Sequence, residues 1–281
     1  PGTEIEKKNN IKIGICEWKE LIISKKKIKI EYTMSNFNDP LAILYSSGTT
    51  GKPKSICHGT GGMLLQHNKE LQIHSDVKDN DRVFYFTTCG WMMWNWLVSS
   101  LFFGSTVILY DGSPFYPNIT SILKIMDLNN LTIFGTSAKY ISYIESKSVI
   151  PKKVGKFTNL RTILSTGSPL KDDSFDYVYG SWKNNVQLCS ISGGTDIISC
   201  FALGNPILPV TRGELQCLGL GMSVKSYNNK GVHEFDNKGE LVCDKAFPSM
   251  PIYFWNDPQD IKFFFKCSLK VAATRRFKEF R

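Results

Sequence analysis

Ten consecutive residues, Tyr45 to Lys54, read YSSGTTGKPK and restrict what the surrounding chain can become. They gather four hydroxyls (Ser46, Ser47, Thr49, Thr50), two glycines (Gly48, Gly51) and two lysines (Lys52, Lys54). Hydroxyl, main-chain N–H and ammonium donors in so short a run suit a single polyanion, and glycine lets the main chain approach it closely. Lysine adds a mobile point charge for phosphate. An apolar, strand-like stretch (Leu41 to Tyr45) precedes the run, and a helical pattern from about Thr60 to His74 follows it. That order predicts strand, glycine loop and helix, a recurrent phosphate-binding arrangement. A plain polar surface turn is the competing reading.

The Walker loop is disfavoured by spacing. It needs four residues between its glycines and a Ser or Thr directly after its Lys, whereas Gly48 and Gly51 are two residues apart and Pro53 follows Lys52. Beyond the loop, short β-branched or aromatic runs at Val83–Thr87, Thr106–Tyr110, Thr132–Phe134, Thr162–Ser165 and Val186–Cys189 read as strands. Between them, Asn118–Leu128 places Ile119, Ile122, Leu123 and Met126 at helical spacing, and Ser137–Ser146 does so with Tyr140, Ile141 and Ile144. This alternation predicts an α/β fold with mostly parallel strands covered by helices. After Pro209 the rhythm changes to runs at Gly213–Leu218, Met222–Tyr227 and Gly239–Cys243 between Gly and Asn turns, which predicts a small β-rich, barrel-like subdomain. The expected organisation is a lysine-rich segment 1–35, an α/β core 36–208, the β-rich part 209–258 and a basic tail 259–281.

The net charge of +9 raises the question of nucleic acid. Residues 1–35 hold eight Lys against five Glu, residues 262–281 hold seven basic side chains against one Glu, and the span between them carries nineteen of each sign. With no basic stripe interleaved with aromatics through the body, nucleic-acid binding is not expected. The eight cysteines are scattered with no CxxC pair, which argues against a zinc site and fits reduced thiols in a cytosolic protein. The longest apolar stretch, Trp91 to Gly104, is broken by Asn95 and two serines and is too short to span a bilayer, so no membrane span is expected.

Two further glycine-bearing segments leave the ends of adjacent predicted strands: Gly167-Ser168-Pro169, and Ser190-Ile191-Ser192-Gly193-Gly194 followed by Thr195 and Asp196. In an open α/β sheet that edge is where ligands sit. Taken singly, each is also compatible with an ordinary turn, and Asp196 with a helix cap.

Taken together, YSSGTTGKPK, TILSTGSPL (Thr162 to Leu170) and SISGGTDIISCF (Ser190 to Phe201) resemble the adenylate-forming superfamily, the acyl-CoA synthetases and their relatives. The resemblance implies that Ser46 to Gly51, Lys52 and Lys54 bind the phosphates of ATP. It also implies that Gly167, Ser168, Pro169 and the Ser190 to Gly194 segment bind adenine. Thr195 and Asp196 would serve the catalytic, magnesium-side motif together with Lys54, with Asp196 as the metal ligand. Most relatives carry Glu there, so Asp196 is a shorter carboxylate in the same place.

GWMMWNW (Gly90 to Trp96) resembles the motif that shapes the acid pocket of short-chain acyl-CoA synthetases, which puts Trp91, Met92 and Met93 on pocket positions and leaves Trp94 and Trp96 for core packing. Acetate-activating relatives close that pocket with a Trp where this chain has Gly193, a difference expected to open space for a longer acid. Pocket size alone does not choose among propionate, butyrate and a keto acid. The wider match, with LYDGSP (Leu109 to Pro114), GELVC (Gly239 to Cys243) and FWNDP (Phe254 to Pro258), resembles the branch that activates acetoacetate.

The implied chemistry is ATP-dependent activation of that acid through an acyl-adenylate, with release of pyrophosphate and then AMP as coenzyme A takes the acyl group. The substrates would be acetoacetate, ATP and coenzyme A, with magnesium. A non-catalytic nucleotide-binding protein and a ligase for another short acid are the alternatives. No side chain need be a nucleophile, and His58, His67, His74 and His233 are given no catalytic role. The match runs from about Asp39 to Pro258, so a ribose-binding Asp and a mobile small domain are expected to lie outside this chain, which would then turn over poorly by itself.

Overall fold

The computed structural model describes residues 31–46, 53–235, 237 and 239–256. By its contacts the chain divides into Pro1–Ser35 and Asn36–Arg281, and the architecture below belongs to the second unit.

Its centre is a five-stranded parallel sheet of β3 (Arg82–Tyr85), β4 (Thr106–Ile108), β5 (Ile133–Ser137), β6 (Thr162–Thr166) and β7 (Gln187–Ser190), in the order β4-β3-β5-β6-β7. Parallel neighbours need crossovers. Helices α2 (Met92–Ser99), α3 (Ser121–Leu128), α4 (Ala138–Ser146) and α5 (Asp172–Tyr177) supply them in turn. Connections leave β3 toward one side for β4 and then return to the other side for β5, so a topological switch point lies between β3 and β5.

Period-two alternation divides the strand residues between two cores. Phe84, Phe134, Ile163 and Leu188 face α3, α4 and α5, joining Ile122, Leu123, Met126, Ile141 and Ile144. Val83, Tyr85, Ile133, Leu164 and Cys189 face the other way, onto Met92, Met93, Trp96 and Leu97 of α2. The apolar spacing that predicted α3 and α4 is therefore the spacing of their buried stripes, and Ser137 caps α4 by accepting the Tyr140 N–H at 3.1 Å. Removing a Phe134 or Ile163 side chain from water contributes about 1.5–3 kcal/mol each.

One expectation is corrected. The glycine-rich run does not lead from a strand into a helix: β1 (Pro40–Ser46) is followed by a second strand, β2 (Lys54–Gly59), antiparallel to it, with Ser46 opposite Lys54. Helix α1 (Thr60–Lys69) begins only after β2. Phosphate donors from this run would thus come from a hairpin, without the field of a helix N-terminus. β13 (Tyr253–Phe254) completes the sheet by pairing with β2.

A third sheet, in the order β10-β9-β8, contains β8 (Ser192–Gly194), β9 (Ser199–Leu203) and β10 (Cys217–Leu218), and β11 (Val224–Tyr227) pairs with β12 (Glu240–Cys243). The run expected as a strand from Gly213 is confined to Cys217–Leu218, because Gly213 has φ +79° and the Arg212 guanidinium is drawn to Asp172 and Asp176 at α5. No helix among the described residues is long and apolar enough to cross a membrane.

Gly135 illustrates how tightly the second core is closed. A Cβ there would stand 2.0 Å from the Tyr85 ring, so the absent side chain is what lets Tyr85 lie across β5. Gly135→Ala is expected to lower stability by about 1–3 kcal/mol through overpacking. Gly180→Ala, where a Cβ meets nothing within 4 Å, should leave the urea midpoint unchanged or slightly raised.

Candidate active site

The predicted site residues fall on four segments at the carboxyl edge of the parallel sheet and beside it. Ser46 and Lys54 face each other at the end of the β1–β2 pair where the chain passes from one strand to the other, both half-buried. Ser47, Gly48, Thr49, Thr50, Gly51 and Lys52 lie outside the described residues. Gly167 follows β6 with φ +85°, a left-handed turn suited to glycine, and Ser168 and Pro169 continue it. Ser190 ends β7 in register with Ser165.

Hydrogen bonds join these segments. The Ile191 N–H donates to the Ser165 carbonyl at 2.8 Å and the Thr166 hydroxyl to the Ile191 carbonyl at 3.3 Å, so the two predicted adenine loops are bound to each other. Thr195 and Asp196, both half-buried, open a single 3₁₀ turn, Thr195–Ile197, which packs against β1. From β2, His58 Nε2 lies 3.1 Å from the Thr195 carbonyl. Ser249 donates its hydroxyl to the Ile197 carbonyl at 2.7 Å. Met92 and Met93 are buried in the same apolar cluster as Ile191 and Ile198, with Trp91 partly buried against it. Hairpin, adenine loops, acidic turn and acid-pocket helix thus share one neighbourhood.

Two readings change. Ser192–Gly194, expected as loop, is a strand, and a Cβ at Gly193 would stand 2.2 Å from the Ser199 carbonyl oxygen and 2.8 Å from Cys200 Cα. The direction in which a side chain would project is occupied by the main chain of β9, so the glycine at 193 permits β8 and β9 to approach. The second concerns the helix after the hairpin. Helix α1 and the π-helical turn Glu70–His74 that extends it bury Gln66, His67, Glu70 and His74 while leaving Leu64, Leu65 and Ile73 exposed. The polar residues at i, i+4 and i+8 (66, 70, 74) form the inward stripe, and that spacing was the available signal in the sequence.

This polar stripe grips the stretch that carries the acidic motif. His67 Nε2–H donates to the Ile198 carbonyl at 2.8 Å, leaving Nδ1 as acceptor 2.9 Å from the Ser99 hydroxyl. His74 Nδ1–H donates to the Gly204 carbonyl at 2.8 Å, and its Nε2 accepts the Leu220 N–H at 3.1 Å. Glu70 Oε1 accepts the Cys200 N–H at 3.1 Å, the Gln66 amide at 3.0 Å and the Ser199 hydroxyl, while Oε2 accepts the Trp96 indole N–H at 3.1 Å. Between these clamps Ile198 adopts φ +46°, a left-handed conformation that strains a β-branched residue by about 1–3 kcal/mol and persists only where its surroundings enforce it. His58 and His67 thus hold the turn itself, while His74 ties the far end of β9 to Leu220.

A cavity of about 680 Å³ lies elsewhere, between β10 and the β11–β12 pair, lined by Leu215, Leu218, Val224, Lys225, His233 and Leu241 among others. None of the described site residues predicted from the sequence lines it.

Similarity to known proteins agrees with this geometry. Residues 7–249 match the family model described as AMP-binding enzyme. The chain belongs to the AMP-binding enzyme family. Within that family it is 53% identical over 227 residues to an acetoacetyl-coenzyme A synthetase of Rhizobium meliloti (strain 1021), covering 81% of this chain and 35% of the relative. It is 49% identical over 235 residues to the acetoacetyl-CoA synthetase of Danio rerio, covering 84% and 35%. The solved acetoacetyl-CoA synthetase from Streptomyces lividans superposes with a TM-score of 0.81 at 41% identity, over 87% of this chain and 38% of that one. The chain spans about a third of the length of the curated relatives it matches. The parallel sheet with its helices and the accompanying small antiparallel sheets are those of this AMP-binding fold.

Burial pushes the His58 pKa down from 6.5 to about 4, and burial likewise lowers those of His67 and His74. The fold thus binds the neutral imidazoles, whereas the unfolded chain takes up protons near pH 6.5. Stability from these groups is complete above that pH and is lost progressively as pH falls toward about 4. Urea midpoints measured from pH 7 to 4.5 should fall steadily. His58→Gln, which keeps an N–H for the Thr195 carbonyl but does not titrate, should flatten the slope.

Proposed function

We propose that this chain carries the nucleotide and acid sites of an ATP-dependent acetoacetate–CoA ligase acting in the cytosol. The observation that carries the reading is the meeting of hairpin, acidic turn and acid-pocket helix: His58 of β2 braces the Thr195 carbonyl, and Met92 and Met93 share a cluster with Ile191. The high identity to acetoacetyl-CoA synthetases supports the choice of acid.

In this reading the acetoacetate carboxylate attacks the α-phosphorus of ATP, the bond to the bridging oxygen breaks, and pyrophosphate leaves with the electron pair. The thiolate of coenzyme A then attacks the acyl carbon of the adenylate and AMP departs. Charge grows on the leaving pyrophosphate, and Lys54 with the hydroxyls of the 46–50 run neutralises it as it develops. Adenine lies against Gly167, Ser168, Pro169 and the Ser190 to Gly194 segment, and the acid lies along Trp91, Met92 and Met93. The hard carboxylate of Asp196, beside Thr195, suits magnesium, an ion held chiefly by phosphates and water. When bound, the ion supplies charge neutralisation for the phosphates.

Exchange of radiolabelled pyrophosphate into ATP, dependent on acetoacetate and magnesium, tests the first half-reaction. Lys54→Ala should reduce exchange by about 10²–10³-fold with the urea midpoint preserved, since Lys54 is half-buried at a strand end. Nucleotide binding without exchange would favour the non-catalytic alternative, and faster exchange with butyrate would reassign the acid.

A further inference from the structure

We propose that Glu70 is a positioning residue that holds the acid pocket and the nucleotide turn in a single register, so that filling one alters affinity for the other. The inference rests on the ligase reading for what the two halves bind. Glu70 is wholly buried at the first residue of the π-helical turn, and its two oxygens divide between the two halves of the site.

Oε2 takes the Trp96 indole N–H at 3.1 Å. Trp96 lies on α2 one turn beyond Met92 and Met93, at i+4 and i+3, so the three share a face and the indole reports the position of the pocket wall. Oε1 takes the Ser199 hydroxyl and, at 3.1 Å, the Cys200 N–H. Those two residues follow the strained Ile198 and stand opposite Gly194 and Gly193 of β8. Asp196 is three residues before Ser199. A displacement of α2 therefore moves the carboxylate, and the carboxylate carries the start of β9 with it. By linkage the coupling is reciprocal.

Glu70→Gln retains shape but replaces one acceptor by an NH₂. With its carbonyl turned to Ser199 and Cys200, the amide faces the Trp96 N–H donor to donor. Adding Trp96→Phe removes the opposing N–H and provides a folded comparison where the single variant is unstable. The purified chain is titrated with magnesium and α,β-methylene-ATP, whose α–β bridge does not break, in the absence and presence of acetoacetate. Amide exchange by mass spectrometry follows residues 195–203.

In the parent, acetoacetate is expected to change the nucleotide Kd by about fivefold or more. In Glu70→Gln, alone or with Trp96→Phe, that ratio falls to about one while each ligand still binds, and exchange rises locally at 195–203. Parental coupling and parental exchange in the variants overturn the proposal. Loss of both affinities together with raised exchange across the whole sheet also overturns it, because that is the signature of a merely structural residue. A parent that binds neither ligand defeats the ligase reading instead. The exchange data then still decide, a rise confined to 195–203 supporting the positioning role and no rise or a global one overturning it.

Discussion

A carboxylate removed from water is tolerated only where donors surround it, and the four donors around Glu70 come from three separate pieces of chain. Gln66 is on the same helix, Trp96 on α2, and Ser199 and Cys200 at the start of β9. Such a group is specific in a way that apolar packing is not. Leucines slide past one another at little cost, but a buried carboxylate that loses one donor keeps the full desolvation cost of that lone pair. The face of α1 that meets the core is accordingly polar and directional, and its leucines face outward. The position of β9 relative to the parallel sheet follows from that choice.

The same stripe explains how a strained turn survives. Ile198 at φ +46° is poorly suited to its own backbone, yet its carbonyl is held by His67, the carbonyl of Thr195 by His58, and that of Ile197 by Ser249. Clamps on both sides of Asp196 leave the carboxylate itself half-buried at the surface of a rigid turn. Neutral imidazole is essential to this arrangement, since His67 both donates to the Ile198 carbonyl and accepts from Ser99. His58 and His67 fix the main chain on either side of Asp196.

Much of this was legible in the sequence. The parallel strands announced themselves because each is a short β-branched run between helices whose apolar residues recur at 3–4, and the edge at which Gly167 and Ser190 emerge followed from the alternation alone. β2 was hidden because Lys54 to Gly59 is short and lies between a Gly–Pro-rich loop and a glycine-rich helix start, where no period can be counted. β8 was hidden for a different reason: Ser192-Gly193-Gly194 has loop composition, and its strand conformation is imposed by pairing with β9. Glu70 was invisible as a functional residue because a glutamate in a helix reads as solvent-facing, and only the spacing shared with Gln66 and His74 marks it otherwise.

In the ligase reading, the closure of β8 onto β9 also bears on acid selectivity. With the main chain of Ser199 and Cys200 standing where a side chain at position 193 would project, that reading leaves discrimination to the α2 side. Met92 and Met93 provide an adaptable apolar wall. Such a wall separates acids differing by one methylene by only about 1–3 kcal/mol, and it has no means of preferring a keto oxygen over a methylene. Preference of that kind requires a donor, and of the proposed acid-pocket side chains at 91–93 only Trp91 carries one. Trp91 is also the residue at which α2 begins, with its ring edge-on to Tyr85 at 6.2 Å, while Tyr85 in turn contacts Trp96 at 6.0 Å. In the ligase reading the donor that would recognise the acid and the indole that binds Glu70 are therefore packed on one ring, and selectivity and registration of the nucleotide turn become properties of the same small cluster.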